Sequence, residues 1–157
     1  MKILLLVIGK TDEDYLATGI KKYVGRLGHY VSFEMKEIPD IRNRKTLSEE
    51  QQKKAESFLL LQQLQPGDHV VLLDENGSQY TSMAFAENLE KLMASGAKRI
   101  VFVIGGPYGF AQEVYAKANA KMSLSPMTFS HQMVRLIFVE QLYRAFTILK
   151  GEPYHHN

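Results

Sequence analysis

The chain has 157 residues, of which 45% are hydrophobic and 23% charged, with a formal net charge of +2. This is ordinary globular composition and predicts a single domain over residues 1–157. No apolar run reaches the ~18 residues of a membrane span. The charge permits an anionic partner but is equally normal for a soluble domain. The absence of cysteine excludes disulfides and thiolate chemistry, which suits a cytoplasmic enzyme.

The apolar start of the chain predicts a first β-strand over residues 2–8, which ends at Gly9. It differs from a signal peptide because its apolar core is short and no small-residue cleavage site precedes Asp12. Asp12 is predicted to cap a helix that continues through Leu27, with Gly28 as its C-cap.

Alternating apolar and polar residues predict a second strand over residues 30–38, with one solvated face. Ser48 precedes a helical segment that ends at Leu64. The intervening residues 41–50 form a polar and basic loop, with Arg42, Arg44 and Lys45. This loop is either a solvated surface or an arm that contacts nucleic-acid phosphates.

A buried strand is predicted over residues 69–73, followed by a turn at residues 74–77. Thr81 or Ser82 then caps a helix through Ala94. The next strand, residues 100–104, is wholly apolar and ends in Gly105-Gly106-Pro107. Ligands of open α/β sheets bind beyond the carboxyl ends of the strands, so this turn is either a ligand site or a plain tight turn.

The last third of the chain has a short predicted helix over residues 111–119 and a weak strand over residues 121–125. A loop follows, and Ser130 caps a final helix over residues 131–150. That helix is apolar on nearly every side, so it lies centrally in the core or packs against another chain. In so small a domain, a helical homodimer interface is the favoured interpretation.

The alternation of strands and helices predicts an α/β fold with a mainly parallel sheet and helices on both faces. The ligand site is then expected near Leu73, Gly105 and the loop of residues 124–129. The glycines do not match the dinucleotide spacing G-x-G-x-x-G, which disfavours a nucleotide-dependent oxidoreductase, and there is no P-loop. No histidine and carboxylate cluster has zinc spacing, so no metal site is predicted.

Two groups of residues near the C-terminus carry candidate chemistry. Glu140 and Arg144 are four residues apart on the final helix, and they form either a simple ion pair or part of a site. Tyr154 and His155 lie in the tail. Histidine titrates near neutral pH and can act as a general base, although a terminal tail is frayed by default.

Four motifs taken together resemble the ribosomal RNA large subunit methyltransferase H family, which consists of small SPOUT-class enzymes. The motifs are Phe102-Val103-Ile104-Gly105-Gly106-Pro107-Tyr108-Gly109, the segment from Leu124-Ser125-Pro126-Met127-Thr128-Phe129 to Arg135, Glu140-Gln141-Leu142-Tyr143-Arg144-Ala145, and Pro153-Tyr154-His155. The resemblance runs from the first strand to the tail.

The resemblance implies a homodimeric α/β fold whose C-terminal part forms a trefoil knot. It also implies binding of S-adenosylmethionine and methylation of N3 of a pseudouridine in the large-subunit (23S) rRNA. Because so small a protein could hardly recognise one nucleotide unaided, we expect the assembled ribosome to be the substrate. Carried over by position, the cofactor contacts would be Leu73, Gly105, Leu124, Ser125, Pro126, Met127, Thr128 and Phe129.

The catalytic candidates implied by the resemblance are Arg144, Tyr154 and His155, with Glu140 supporting Arg144. His155 is the expected base, or orients the base, and Arg144 is expected to bind a phosphate or the pyrimidine carbonyls. Tyr154 would stack on the target base or hydrogen-bond to it. Two alternatives remain: a SPOUT methyltransferase that acts on another RNA, and a non-catalytic RNA-binding or ribosome-binding module of the same fold.

Overall fold

A computed structural model describes residues 1–156 of the chain, in which five β-strands alternate with five α-helices. In chain order they are β1 (Lys2–Ile8), α1 (Asp14–Leu27), β2 (Ser32–Ile38), α2 (Glu49–Leu61), β3 (Asp68–Gln79), α3 (Ser82–Met93), β4 (Arg99–Ile104), α4 (Gln112–Lys117), β5 (Ala120–Ser123) and α5 (Met133–Leu149). A single 3₁₀ turn, Arg44–Thr46, lies between β2 and α2. None of the helices within residues 1–156 is long and apolar enough to cross a membrane.

The strands form one parallel sheet in the order β2-β1-β4-β3-β5, which confirms the predicted architecture. Alternate residues of β1 point to opposite faces, and both faces are buried. Ile3, Leu5 and Val7 join the core beneath α1, α3 and α5, whereas Leu4 and Leu6 join the core beneath α2 and α4. The trefoil knot stays a prediction, because strand order and register do not specify how the chain is threaded.

Helix α5 is central in its layer and packs against both α1 and α3. Phe138 is fully buried, with its ring centroid 4.8 Å from that of Phe102 in β4. Burial of a side chain of this size stabilises the fold by about 1.5–3 kcal/mol. The central position therefore accounts for much of the apolar character of α5 within one chain, so the dimer stays a prediction. Among its half-buried residues, Ile137, Gln141, Arg144 and Ile148 share one stripe along α5.

The predicted helix starts at Ser48 and Thr81 are confirmed, the one at Asp12 is wrong, and α5 begins at Met133, two residues later than predicted. Ser48 forms a capping box with Gln51, and Thr81 caps α3 by accepting a hydrogen bond from the amide of Ala84. Ser130 Oγ accepts from the amide of Met133, the first residue of α5. Asp12 does not cap α1, which begins at Asp14 with Glu13 at the N-cap position, and the Asp12 amide donates to the Gln132 side chain.

Strand β3 is longer than predicted and includes the expected turn at residues 74–77. It pairs with β5 up to Leu73, bulges, and then pairs again from Ser78. Gly77 permits this return, because a Cβ there would lie 2.5 Å from the backbone nitrogen of Met122. The bulge displaces residues 74–77 from the ladder at the carboxyl end of the sheet.

Arg135 connects α5 to the end of β1. Its side chain is 1% exposed, and it donates to the carbonyl oxygens of Ile8 (2.6 Å) and Gly9 (2.9 Å) and to Thr11 Oγ1 (3.1 Å). These bonds satisfy carbonyls where the chain leaves the sheet. The start of α5 is thereby held at the carboxyl edge of the strands.

Candidate active site

A cavity of about 620 Å³ lies beyond the carboxyl ends of β3, β4 and β5, within the size range of small-molecule sites. It combines the three sequence regions that were predicted to meet. Pro126 is absent from its lining, and the other predicted cofactor residues all line it: Leu73, Gly105, Leu124, Ser125, Met127, Thr128 and Phe129.

Gly105 presents bare backbone to the cavity. A Cβ at this position would lie 3.1 Å from the ring of Phe110, so a side chain would crowd the wall. The facing loop is shaped by Ser125, whose carbonyl accepts from Ser123 Oγ (2.9 Å) and whose hydroxyl accepts from the Met127 amide (3.0 Å). Met127 is 76% exposed and stands at the rim.

The cavity also has charged lining residues that the sequence interpretation did not assign, among them Lys53, Asp74 and Glu75. Asp74 accepts a short hydrogen bond from the Tyr115 hydroxyl. Burial and this bond raise the pKa of Tyr115 to about 12, so its phenol stays neutral and donates. Asp74 and Glu75 follow a predicted strand directly, and the rule that ligands bind at carboxyl ends could have identified them.

Glu140, Arg144 and Tyr154 form a second cluster on α5 and the tail. Glu140 Oε1 accepts from Arg144 Nε (3.1 Å), Arg144 Nη2 (2.6 Å) and the Tyr154 hydroxyl (3.0 Å). The guanidinium carbon of Arg144 lies 4.8 Å from the centroid of the Tyr154 ring, which is a cation–π distance. The ion pair and the tail, predicted as two separate groups, are therefore one hydrogen-bonded unit.

Tyr154 is held in this cluster by contacts with α1 and α5. Its hydroxyl oxygen lies 3.3 Å from that of Tyr23, and its ring packs edge-on against Tyr143 at 4.8 Å. Burial raises the pKa of the Tyr154 phenol above its ordinary value, and the hydrogen bonds with Tyr23 and Glu140 raise it further. Tyr154 is thus a neutral hydrogen-bond donor at physiological pH rather than a proton acceptor.

His155 completes the cluster, with Nδ1 3.1 Å from Arg144 Nη1. A guanidinium donates hydrogen bonds and cannot accept them, so Nδ1 is the acceptor. The proton of the neutral imidazole is then on Nε2, which can donate. In this arrangement the Arg144 guanidinium fixes the orientation of the His155 ring.

Comparison with known proteins identifies the family to which the chain belongs. The family model described as a predicted SPOUT methyltransferase matches residues 1–155. Proteins named ribosomal RNA large subunit methyltransferase H are 62% identical in Parabacteroides distasonis and 60% identical in Christiangramia forsetii. Each alignment spans 156 residues and 99% of both chains. The chain belongs to the ribosomal RNA large subunit methyltransferase H family.

Among solved structures, a putative RNA methyltransferase of the TrmH family from Porphyromonas gingivalis aligns with a TM-score of 0.41. The alignment has 12% identity and covers 88% of this chain and 58% of that chain. So distant a likeness supports no argument about the site.

The cavity suits the methyl donor that a SPOUT methyltransferase uses. S-adenosylmethionine carries a positive sulfonium and an ammonium group, and the carboxylates of Asp74 and Glu75 complement cations. Leu124 and Phe129 offer apolar surface for the adenine ring, and the bare backbone of Gly105 allows close approach.

Within one chain, the cavity and the cluster of Glu140, Arg144, Tyr154 and His155 are separate. Val134, in the first turn of α5, lines the cavity, whereas Glu140 and Arg144 do not. These residues follow six and ten positions later, or about 9 and 15 Å along the helix axis at 1.5 Å per residue. The predicted cofactor residues other than Pro126 therefore line one cavity near the start of α5, whereas the predicted catalytic residues form a separate cluster further along the helix.

Proposed function

We propose that the protein transfers the methyl group of S-adenosylmethionine to N3 of a pseudouridine in 23S rRNA, in the cytoplasm and on the assembled ribosome. The observation that carries the proposal is the identity of about three residues in five with relatives named for large-subunit rRNA methylation, along essentially the whole chain. The cavity at the carboxyl ends of β3, β4 and β5 supports it, since its lining fits the methyl donor.

In this proposal, Arg144 and Tyr154 orient the RNA and His155 removes the N3 proton. S-adenosylmethionine supplies a methyl group on a cationic sulfur, which retains the electrons of the broken S–C bond as a neutral thioether. Arg144 leaves Nδ1 of His155 when it contacts a phosphate or a pyrimidine carbonyl of the RNA. Nδ1 then accepts the proton that N3 loses, while the neutral Tyr154 hydroxyl donates to the base.

The proposal includes a homodimer, because Glu140 and Arg144 do not line the cavity of their own chain. A second copy would bring its tail cluster to the cavity of the first. The half-buried stripe along α5, which contains Arg144, continues the surface that such a copy would cover. The exposed basic loop, with Arg42 and Lys45, would add phosphate contacts that weaken as salt rises.

The deciding experiment is mass spectrometry of 23S rRNA from cells with and without the protein, after digestion to nucleosides and short fragments. We expect loss of one methylated pseudouridine when the protein is absent and its return when the gene is restored. In vitro, assembled ribosomes, isolated large subunits, naked 23S rRNA and tRNA are compared as methyl acceptors. Methylation confined to tRNA would contradict the rRNA assignment, and equal activity on naked rRNA would contradict the ribosome requirement.

A further inference from the structure

Glu56 on α2 is a buried acidic residue that the proposed mechanism does not use. It is 3% exposed, and its Oε1 atom has no hydrogen-bond partner within residues 1–156. The other oxygen, Oε2, accepts from Gln52 Nε2 at 3.3 Å. A buried carboxyl oxygen without a partner is costly, so its retention calls for a reason.

The Glu56 carboxyl packs directly against Gly106, which lines the cofactor cavity. A Cβ at Gly106 would lie 2.5 Å from Oε1 and 2.6 Å from Oε2, so the carboxyl fills the space where a side chain would be. The Gly109 amide closes the same turn on the Gly106 carbonyl at 3.1 Å. The carboxyl therefore contacts the glycine turn without itself lining the cavity.

Helix α2 makes further contacts near the glycine turn and the cavity. Ser57, the next residue, accepts a hydrogen bond from the amide of Ala111 (3.0 Å), just beyond the turn. Lys53, one helical turn before Glu56, lines the cavity itself. Lys53, Glu56 and Ser57 thus contact the cavity, the glycine turn and the residue just beyond that turn.

We propose that Glu56 is a positioning residue for the methyl-donor cavity, whose carboxyl sets the position of the glycine turn at residues 105–109. This inference rests on the proposed function in one respect, namely that the cavity binds S-adenosylmethionine. Glu56 acts through Gly106 and does not itself line the cavity. The length and shape of its side chain, rather than its charge, are what hold the turn.

The electrostatic surroundings agree with a role based on shape. Burial raises the pKa of the Glu56 carboxyl, and the nearby Asp40 raises it further, while Gln52 and Arg44 lower it. The carboxyl therefore holds its proton to higher pH than an exposed glutamate does. Glutamine has the same length and no charge, so it is the natural substitute, whereas aspartate keeps the charge and withdraws the carboxyl by one methylene.

The test is calorimetric titration of the full-length protein with S-adenosylmethionine, without RNA. We expect Glu56→Gln to bind within about threefold of the unmodified protein, and Glu56→Asp to bind at least tenfold more weakly. Glu49→Asp makes the same chemical change at an exposed position of α2 and is expected to leave the affinity unchanged. Leu89→Ala, a buried truncation in α3 away from the cavity, controls for lost stability.

A double variant separates positioning from general destabilisation. Gly106→Ala places a methyl group against the Glu56 carboxyl and weakens binding, and adding Glu56→Asp makes room and restores part of the affinity. Unchanged affinity in Glu56→Asp, an equal loss in Leu89→Ala, or additive losses in the double variant would overturn the inference. Absence of binding by the unmodified protein would instead refute the cofactor assignment in the proposed function, on which the inference rests.

Discussion

Nη1 of Arg144 lies 3.1 Å from Nδ1 of His155, a residue eleven positions further along the chain. The contact exists because the tail folds back onto α5 and is held there. The Glu152 amide donates to the Thr147 carbonyl (2.9 Å), and the Tyr30 hydroxyl donates to Glu152 Oε2 (2.7 Å). Residues 152–155 are therefore packed against the rest of the domain.

The separation of the cavity from this cluster predicts complementation between inactive variants. Gly105→Val places a side chain in the cavity, and Arg144→Ala removes the cation from the cluster that α5 forms with the tail. Each variant alone is therefore expected to lose methylation. When the two are mixed and allowed to exchange subunits, activity returns to about a quarter of the unmodified rate, since about half the dimers are mixed and one of their two sites is complete. The measurement is incorporation of labelled methyl into ribosomes.

The control for this experiment is a mixture of Arg144→Ala with His155→Ala. Both substitutions affect the same cluster, so no mixed dimer has a complete tail and the activity stays low. No recovery with Gly105→Val would place the whole site within one chain. Recovery in the control would show that Arg144 and His155 act in different sites rather than as one cluster.

The raised pKa of Tyr154 predicts how Tyr154→Phe affects the pH dependence of methylation. Because the phenol is neutral across physiological pH, its removal is expected to lower the rate at all pH values between about 6 and 9 without shifting the profile. Single-turnover methylation of ribosomes measures this directly. The opposite result would be a shift of one side of the pH–rate profile in Tyr154→Phe but not in Tyr23→Phe. That result would mean that Tyr154 exchanges a proton during the reaction.

Arg135 is expected to be essential for folding stability rather than for chemistry. Arg135→Ala leaves the carbonyls of Ile8 and Gly9 without their donor and opens a buried gap, so the unfolding free energy should fall by about 3 kcal/mol or more. Chemical denaturation followed by circular dichroism measures the loss. Arg42→Ala removes an exposed guanidinium and should change stability by less than about 0.5 kcal/mol. Equal losses in the two variants would show that Arg135 is replaceable.

The raised pKa of Glu56 predicts how the free energy of unfolding depends on pH. Its folded-state pKa is raised above the ordinary value of 4.5, so the folded protein retains a proton that the unfolded chain loses. The unfolding free energy therefore falls as pH rises from about 4.5 through the raised pKa. Glu56→Gln cannot lose this proton and should remove that part of the decline. Denaturation curves of both proteins at several pH values test this, and parallel pH profiles would contradict it.

The sequence predicted the sheet, its parallel direction and both helix layers, because these depend on local periodicity. Strands β1 and β4 are apolar on both faces, so they could lie only in the centre of a sheet. It also predicted most of the regions that meet in the cavity, since they lie at the carboxyl ends of strands, but it included Pro126 and missed Lys53, Asp74 and Glu75. It failed at the bulge of β3, where Asp74-Glu75-Asn76-Gly77 has turn composition but the chain returns to the ladder.

What the sequence by itself determined is the set of residue types and the order in which they reach the carboxyl edge of the sheet. Only the tertiary structure decided how Arg144, Tyr154 and His155 bond to one another, which ring nitrogen of His155 accepts, and where Glu56 lies. These depend on contacts between segments distant in the chain, as when Tyr23 meets Tyr154 across 131 positions. Periodicity describes which face of an element is buried, whereas such contacts depend on how the elements pack.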